Sequence, residues 1–139
     1  MDERAAVEAA NTAFYEAFET ADLDAMLDLW LDHPETLCVH PGALPVRGTP
    51  AINRSWALIM ANTPYIQFFL TDLEVSVLDD TASVTCTENV LTGDERTTGV
   101  DAFGGARAVA TNVFVRTAEG WRLWIHHASP VLSGGDHDA

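Results

Sequence analysis

Two kinds of hydrophobic periodicity occupy separate parts of this 139-residue chain. Up to about Asn62, apolar residues recur every three or four positions, which is typical of amphipathic helices. From about Leu73 onward, apolar and polar residues alternate, which is typical of strands. Because separate runs of helices and strands pack as separate layers, the sequence predicts an α+β fold with helices on one face of a curved, mainly antiparallel sheet.

Three helices are predicted from the spacing and from capping residues. The first runs from Arg4 to Thr20, and the second follows the cap Asp22 and stops at His33-Pro34. In the third, Thr49 is expected to be the cap and Pro50 the first helical residue, with the helix continuing to about residue 62.

Strands are predicted on both sides of the third helix. A short strand, Thr36 to His40, precedes it, and two hairpins follow it. The hairpins pair residues 73–77 with 82–86 and residues 107–117 with 121–128. The glycine-rich segment from Thr92 to Gly105 between them is either a hairpin tip or a lid, and the pattern favours neither.

Composition limits the classes of function. With 47% hydrophobic residues, the chain is expected to form one domain over residues 1–132, followed by a flexible tail, 133–139. A net charge of -14 and the absence of lysine disfavour nucleic acid and anionic membranes as partners. The first residues lack a secretory signal, so a cytoplasmic location is expected.

Metal and cofactor sites are not expected. The two cysteines, Cys38 and Cys86, lie in apolar strand-like runs outside any CxxC motif, which predicts free buried thiols. The sequence also contains no phosphate-binding or dinucleotide-binding fingerprint.

The segment WRLWIHHASPV, residues 121–131, carries two adjacent histidines on a predicted strand. Successive strand residues point to opposite faces, so strict alternation places His126 with Arg122 and Trp124, and His127 with Trp121, Leu123 and Ile125. Both faces are apolar, as in a strand covered on two sides. An imidazole here is a candidate for proton transfer, whereas the alternative is a buried histidine satisfied by a backbone carbonyl.

Two polar residues interrupt apolar rows on neighbouring strands. Glu88 shares a face with Ala82, Val84 and Cys86, where burial would raise its pKa and suit a general acid or base. Alternatively, it lies near the strand end and reaches water or an arginine. Asn112 can bind a ligand oxygen, or it can satisfy a neighbouring backbone group or histidine.

The region around the short strand supplies three more candidates. His40 ends that strand and can orient a substrate oxygen, Arg47 can bind a carboxylate or enolate, and Trp56 can form a pocket wall. The alternatives are a solvated arginine and a core tryptophan.

Several motifs together resemble the SnoaL-like branch of the NTF2-like superfamily, which includes ketosteroid-isomerase homologues and DUF4440-type members. They are residues 21–26 (ADLDAM), 39–42 (VHPG), 47–48 (RG), 55–56 (SW), 110–114 (ATNVF) and 126–131 (HHASPV). The resemblance implies a cystatin-like cone of three helices on a curved sheet, with an apolar pocket and a homodimer formed through the sheet. No cofactor is expected.

The resemblance also limits the expected chemistry. Tyr15 lies on the first helix, but no inward aspartate is evident to complete the isomerases' Tyr and Asp oxyanion pair. The enzyme hypothesis is proton transfer on a small apolar carbonyl or polyketide-like compound, of isomerase, cyclase or dehydratase type, with Glu88, His126 and His40 as catalytic candidates. The predicted pocket residues are Trp56, Asn112, Arg47, Phe114, Trp124, Tyr15 and His127. The alternative is a non-catalytic ligand-binding or dimerisation domain.

Overall fold

The computed structural model describes residues 2–93 and 103–132. The helices in this part of the chain are α1 (Glu3–Glu19), α2 (Leu23–Leu29) and α3 (Thr49–Ala61). The strands are β1 (Leu37–Val39), β2 (Val46–Arg47), β3 (Tyr65–Leu78), β4 (Thr81–Gly93), β5 (Phe103–Thr117) and β6 (Gly120–Pro130). None of these helices is long and apolar enough to cross a membrane.

The strands form one six-stranded sheet in the order β2-β1-β6-β5-β4-β3. The pairing of β1 with β6 is parallel, and the other pairings are antiparallel. The helices cover one face of this curved sheet, and α1 packs chiefly on β3. The α+β, cystatin-like cone predicted from the sequence is confirmed.

The core lies between α1 and the concave face of the sheet. Val7, Phe14 and Ala17 on α1 are buried against Val84, Ala110 and other inward-facing strand residues. The alternation predicted for β4 and β5 holds, because every second residue from Ala82 to Glu88 and from Ala108 to Phe114 is buried. Both cysteines are free and buried, as predicted.

The structure corrects the predicted start of α3. Gly48, with a φ of 89°, is the N-cap, and Thr49 is already inside the helix. The Thr49 hydroxyl donates to the backbone carbonyl of Leu31 at 2.7 Å, so it anchors the chain that enters β1 instead of capping the helix. Glycine suits the cap position because it adopts a positive φ without a steric penalty.

Strand β3 is longer than predicted and β2 was missed. The pairing of β3 with β4 is irregular between Thr71 and Glu74, and Asp72 in this irregularity has a φ of 55°. Such a bulge breaks the alternation that identifies a strand, so only the part from Leu73 was recognisable. β2 has two residues, which is too short to show any period.

A second bulge changes which face each residue of β6 occupies. Phe114 pairs with Leu123 and Val113 pairs with Ile125, so Trp124 has no partner on β5. The prediction from strict alternation was therefore wrong, since His126 lies on the buried face together with Trp121 and Leu123, whereas His127 is exposed.

Two further predictions concern segments that lie partly or wholly outside the described residues. Gly93 of β4 pairs with Phe103 of β5, and residues 94–102, the centre of the segment predicted as a hairpin tip or a lid, lie outside the described part. The predicted tail, 133–139, also lies outside it.

Candidate functional site

A cavity of about 320 Å³ opens between α1, α3 and the concave face of the sheet. Its walls are mostly aromatic and aliphatic. Five polar residues also line it, namely Tyr15, His40, Glu88, Arg107 and His126. Small-molecule sites are typically apolar pockets of about 300–1,000 Å³ that contain a few polar groups, so this cavity suits a small ligand.

Glu88 is a buried carboxyl in the cavity wall, and only 4% of its surface is exposed. It lies on β4 opposite Leu70 of β3 and Ala108 of β5, both apolar. The Tyr15 hydroxyl donates to Glu88 Oε2 at 2.5 Å. Burial raises the pKa of Glu88, and the hydrogen bond from Tyr15 offsets only part of this effect. The carboxyl is thereby moved toward the pKa range of an effective general base.

Tyr15 and Asn112 connect Glu88 to the neighbouring strands. Tyr15 projects from α1, and burial together with the charge of Glu88 raises the pKa of its hydroxyl, which therefore stays protonated. Asn112 on β5 has no exposed surface. Its Nδ2 donates to Tyr15 Oη at 3.2 Å and to Asn11 Oδ1 at 2.8 Å.

His126 lies at the other end of the same set of hydrogen bonds. Its Nδ1 lies 2.6 Å from Asn112 Oδ1, and because an amide oxygen can only accept, Nδ1 carries the proton. Burial, with smaller effects of His40 and His127, lowers the pKa of His126 to about 3, so the ring is neutral at physiological pH. Among the described residues, no hydrogen-bond partner is found for Nε2, the nitrogen that remains unprotonated.

His40 forms a separate polar point in the cavity wall. Its Nε2 lies 2.9 Å from Ser55 Oγ on α3, and its ring meets the Trp56 ring edge-on at 4.9 Å between centroids. Burial lowers the pKa of His40. Its ring centroid is 6.5 Å from that of His126, so the two imidazoles lie close together in the wall.

Residues 7–133 match the family model of the SnoaL-like domain. The chain belongs to the SnoaL-like domain family. This agrees with the resemblance identified from its motifs and places it within the NTF2-like superfamily.

Solved structures similar to this SnoaL-like domain support the same assignment. A candidate dehydratase of the NTF2-like family from Streptomyces avermitilis is 52% identical, with a TM-score of 0.85 over 91% of this chain and 95% of that one. A candidate calcium/calmodulin-dependent protein kinase type II association domain from Thiobacillus denitrificans is 32% identical, with a TM-score of 0.77 over 90% and 94% of the two chains.

A ketosteroid isomerase-like protein from Erwinia carotovora atroseptica shares the fold. Its TM-score is 0.76 at 19% identity, over 94% of this chain and 98% of that one. No curated protein sequence matches the chain significantly.

Not every residue predicted for the SnoaL-like pocket lines the cavity. Glu88, His126, His40, Tyr15 and Trp56 do. The other predicted pocket residues, Asn112, Arg47, Phe114, Trp124 and His127, are not among those that line it.

Each of these five residues has another position. Asn112 lies behind His126, and Phe114 is fully buried in the core. Arg47 pairs with Glu35 at 3.5 Å on the surface, and Trp124 Nε1 donates to the Glu35 carbonyl at 3.1 Å. His127 is exposed on the opposite face of β6.

Other cavity residues of the SnoaL-like domain were not predicted to be functional. They are mainly apolar, and α1 contributes Phe14 and Phe18 to the wall, where their helical spacing indicated only core residues. Arg107 also lines the cavity, and no sequence signal separated it from other surface arginines. In the part of the chain that is described, no three potential metal ligands cluster together.

Proposed function

We propose that the cavity binds a small, largely apolar carbonyl compound and that Glu88 transfers a proton to and from a carbon next to the carbonyl. The reaction class is an isomerisation, a cyclisation or a dehydration. One observation carries the proposal: a buried carboxyl with a raised pKa lies in an apolar cavity that fits a small molecule.

Glu88 suits the role of base better than His126 does. A general base is most effective when its pKa is near the working pH. Burial moves the pKa of Glu88 upward toward this range, but it moves the pKa of His126 down to about 3. His126 therefore serves as a neutral hydrogen-bonding group that orients the substrate.

His40 is the proposed partner of the substrate oxygen. It lines the same cavity as Glu88, and contacts with Ser55 and Trp56 hold its ring. A neutral imidazole carries one N–H donor and one acceptor, so it can hydrogen-bond a carbonyl or an enol oxygen.

The likeness to the Streptomyces avermitilis protein supports a reaction of this class. That protein is a candidate dehydratase, and it is 52% identical to this chain. Dehydration of a β-hydroxy carbonyl compound begins with removal of a proton next to the carbonyl, which is the step proposed for Glu88.

Deuterium exchange tests the proposal without knowledge of the natural substrate. The protein is incubated in D₂O with a panel of small apolar ketones, enones and β-hydroxy ketones, and mass spectrometry follows the uptake of deuterium. We expect exchange with the wild-type protein and at least a 100-fold loss with Glu88→Gln, since general acid–base catalysis contributes about 10² to 10⁴ in rate.

Glu8→Gln provides the matched control, because Glu8 is an exposed carboxylate on α1. This variant should catalyse deuterium uptake by the panel compounds at the wild-type rate. If Glu88→Gln catalyses this uptake as fast as the control does, Glu88 is not the base. If a panel compound binds and no exchange occurs with any variant, the non-catalytic ligand-binding alternative holds instead.

We also propose a homodimer formed through the outer face of the sheet. Phe69 on β3 and Val109 on β5 are about half exposed on this face, at 54% and 49%. The same face also carries Thr87, Asn89 and Leu91 of β4 and Arg107 and Thr111 of β5. A partner subunit would remove these apolar groups from water, and light scattering on the purified protein measures the mass directly.

A further inference from the structure

Four buried side chains form a continuous hydrogen-bonded chain from one wall of the cavity to another. The order is Glu88, Tyr15, Asn112 and His126, with distances of 2.5, 3.2 and 2.6 Å between successive partners. Asn11 attaches to Asn112 as a side branch at 2.8 Å. Both ends, Glu88 and His126, line the cavity, while Asn112 does not.

The direction of donation along this chain depends on Glu88. When Glu88 is ionised it can only accept, so the Tyr15 hydroxyl must donate to it. The Tyr15 oxygen then accepts from Asn112 Nδ2, and Asn112 presents its Oδ1 to His126. His126 must therefore carry its proton on Nδ1 and keep Nε2 unprotonated.

Protonation of Glu88 permits the reverse direction with the same number of hydrogen bonds. The carboxylic acid donates to the Tyr15 oxygen, and the Tyr15 hydroxyl turns to donate to Asn112. Rotation of the amides by 180° exchanges their donor and acceptor ends, so Asn112 accepts from both Tyr15 and Asn11 and donates to His126 Nδ1. His126 then carries its proton on Nε2.

Both directions leave one buried group of Asn11 without a partner. In the structure this group is Asn11 Nδ2, and after reversal it is the oxygen of the same amide. The two directions are thus matched in satisfied bonds. An ionised Glu88 requires the first direction, and a protonated Glu88 makes the second available because it can donate to Tyr15. The reversal takes up one proton at Glu88 from water, while the imidazole loses one proton at Nδ1 and gains one at Nε2.

We propose that Tyr15 and Asn112 transmit the protonation state of Glu88 to His126 as a choice of tautomer. With Glu88 ionised, His126 offers the cavity an acceptor, which suits a ligand hydroxyl. With Glu88 protonated, it offers a donor, which suits a carbonyl. Tyr15 and Asn112 are positioning residues in this scheme, and its use in catalysis rests on the proposed function of Glu88.

Other titratable groups surround Glu88 and His126, the two ends of the hydrogen-bonded chain. Tyr15 from α1 and Cys86 from β4 face Glu88, and Arg107 from β5 lies in the same cavity wall. Around His126 lie His40, which follows β1, Cys38 on β1 and His127 on β6. The pKa of His126, about 3, keeps its ring neutral while Glu88 titrates above its usual range, so a tautomer change is the event to observe.

Nuclear magnetic resonance of the ligand-free, full-length protein tests whether the tautomer of His126 follows the protonation of Glu88. Two-bond proton–nitrogen spectra of ¹⁵N-labelled histidine rings distinguish the tautomers, and His126→Gln identifies the His126 signals. Carboxyl ¹³C shifts follow Glu88, identified with Glu88→Gln. As the pH falls, we expect the Nε2–H form of His126 to grow at the expense of the Nδ1–H form, with the same midpoint as Glu88.

Tyr15→Phe removes one hydroxyl and so interrupts the hydrogen-bonded chain between Glu88 and His126. Glu88 should still titrate in this variant, while His126 keeps one tautomer across the titration. Asn112→Leu gives a second check, because leucine neither donates nor accepts a hydrogen bond, so His126 should also keep one tautomer in this variant.

The proposal is overturned if the wild-type tautomer is constant across the Glu88 titration. It is equally overturned if His126 in Tyr15→Phe or in Asn112→Leu changes tautomer as it does in the wild type. Because no substrate is present, these outcomes are independent of the deuterium-exchange test, so failure of the coupling is distinguishable from failure of the proposed function.

Discussion

The hydroxyl of Tyr15 donates to the carboxyl of Glu88 at 2.5 Å, although 73 positions separate the two residues in the sequence. The contact holds a buried carboxyl in the cavity wall beneath α1. Its pKa is raised despite this favourable bond, because burial disfavours the charged form more strongly than the bond favours it. The domain thus places a carboxyl where its ionised form reduces stability.

Glu88→Gln is therefore expected to stabilise the protein at neutral and alkaline pH. A carboxyl whose pKa is raised on folding lowers stability as the pH increases through its folded-state pKa. Glutamine stays neutral and can still accept from Tyr15. Urea unfolding at pH 8 should show a higher midpoint for the variant, and the advantage should vanish at pH 3. A wild-type midpoint above that of the variant at pH 8 would contradict the raised pKa.

His126→Gln should make the protein less sensitive to acid. Burial lowers the pKa of His126 to about 3, so the stability that its neutral form provides is present above pH 6.5 and is lost as the pH falls toward 3. Between pH 7 and pH 4, the wild type should lose about 3 kcal/mol more than the variant, at about 1.4 kcal/mol per pH unit. Urea unfolding at both pH values measures this difference.

His127→Gln is the control for that comparison, since His127 is the adjacent residue on the exposed face. Its acid sensitivity should equal that of the wild type. Equal acid sensitivity of His126→Gln and the wild type would show that His126 is not buried as a neutral ring.

Ala108→Leu should fill the cavity without disrupting the core. Ala108 lines the cavity, whereas Ala110, two residues further along the same face, is fully buried and is not among the lining residues. Leucine at 108 should enter empty space, abolish ligand binding and leave the free energy of unfolding within about 1 kcal/mol of wild type.

Ala110→Leu is the matched substitution in a packed site. Overpacking of a core costs about 1–3 kcal/mol, so this variant should lose stability and keep its ligand affinity if it folds. Calorimetry for stability and binding distinguishes the two variants. The opposite pattern would mean that the cavity is not the binding site.

Val109→Asp is expected to convert the proposed dimer to a monomer. The carboxylate would lose its hydration at the interface, which costs several kcal/mol. Leu58→Asp on α3 is the control, because Leu58 is 66% exposed on a helix rather than on the sheet. Light scattering should give a monomer mass for the first variant and a dimer mass for the second. A wild-type monomer mass would refute the dimer itself.

The order of the helices and hairpins and several polar residues of the site could be predicted from the sequence. Hydrophobic spacing located the helices and hairpins, and Glu88 and Asn112 stood out because each interrupts an apolar row. The partners of these two residues could not be predicted. Tyr15 and Asn11 reach them from α1, and contacts across 73 to 101 positions leave no local pattern in a single sequence.

The cavity walls were less predictable than the polar residues. Phe14 and Phe18 have the spacing of core residues, and the space next to them arises only from the curvature of the sheet and the position of α1. Phe114 and Trp124 were predicted to be pocket residues. Phe114 instead fills the core, and Trp124 bonds to the Glu35 carbonyl.

The unpaired residue in β6, Trp124, decides which of the two adjacent histidines faces the cavity. If Trp124 paired with a residue of β5, as its neighbours on β6 do, Ile125 and His127 would turn inward and His126 would face the surface. The HH pair is thus not redundant, because its two members exchange roles whenever one residue is gained or lost between Leu123 and His126. In relatives of this domain, the length of this short segment should therefore be a better guide to the cavity-facing histidine than its place in an alignment.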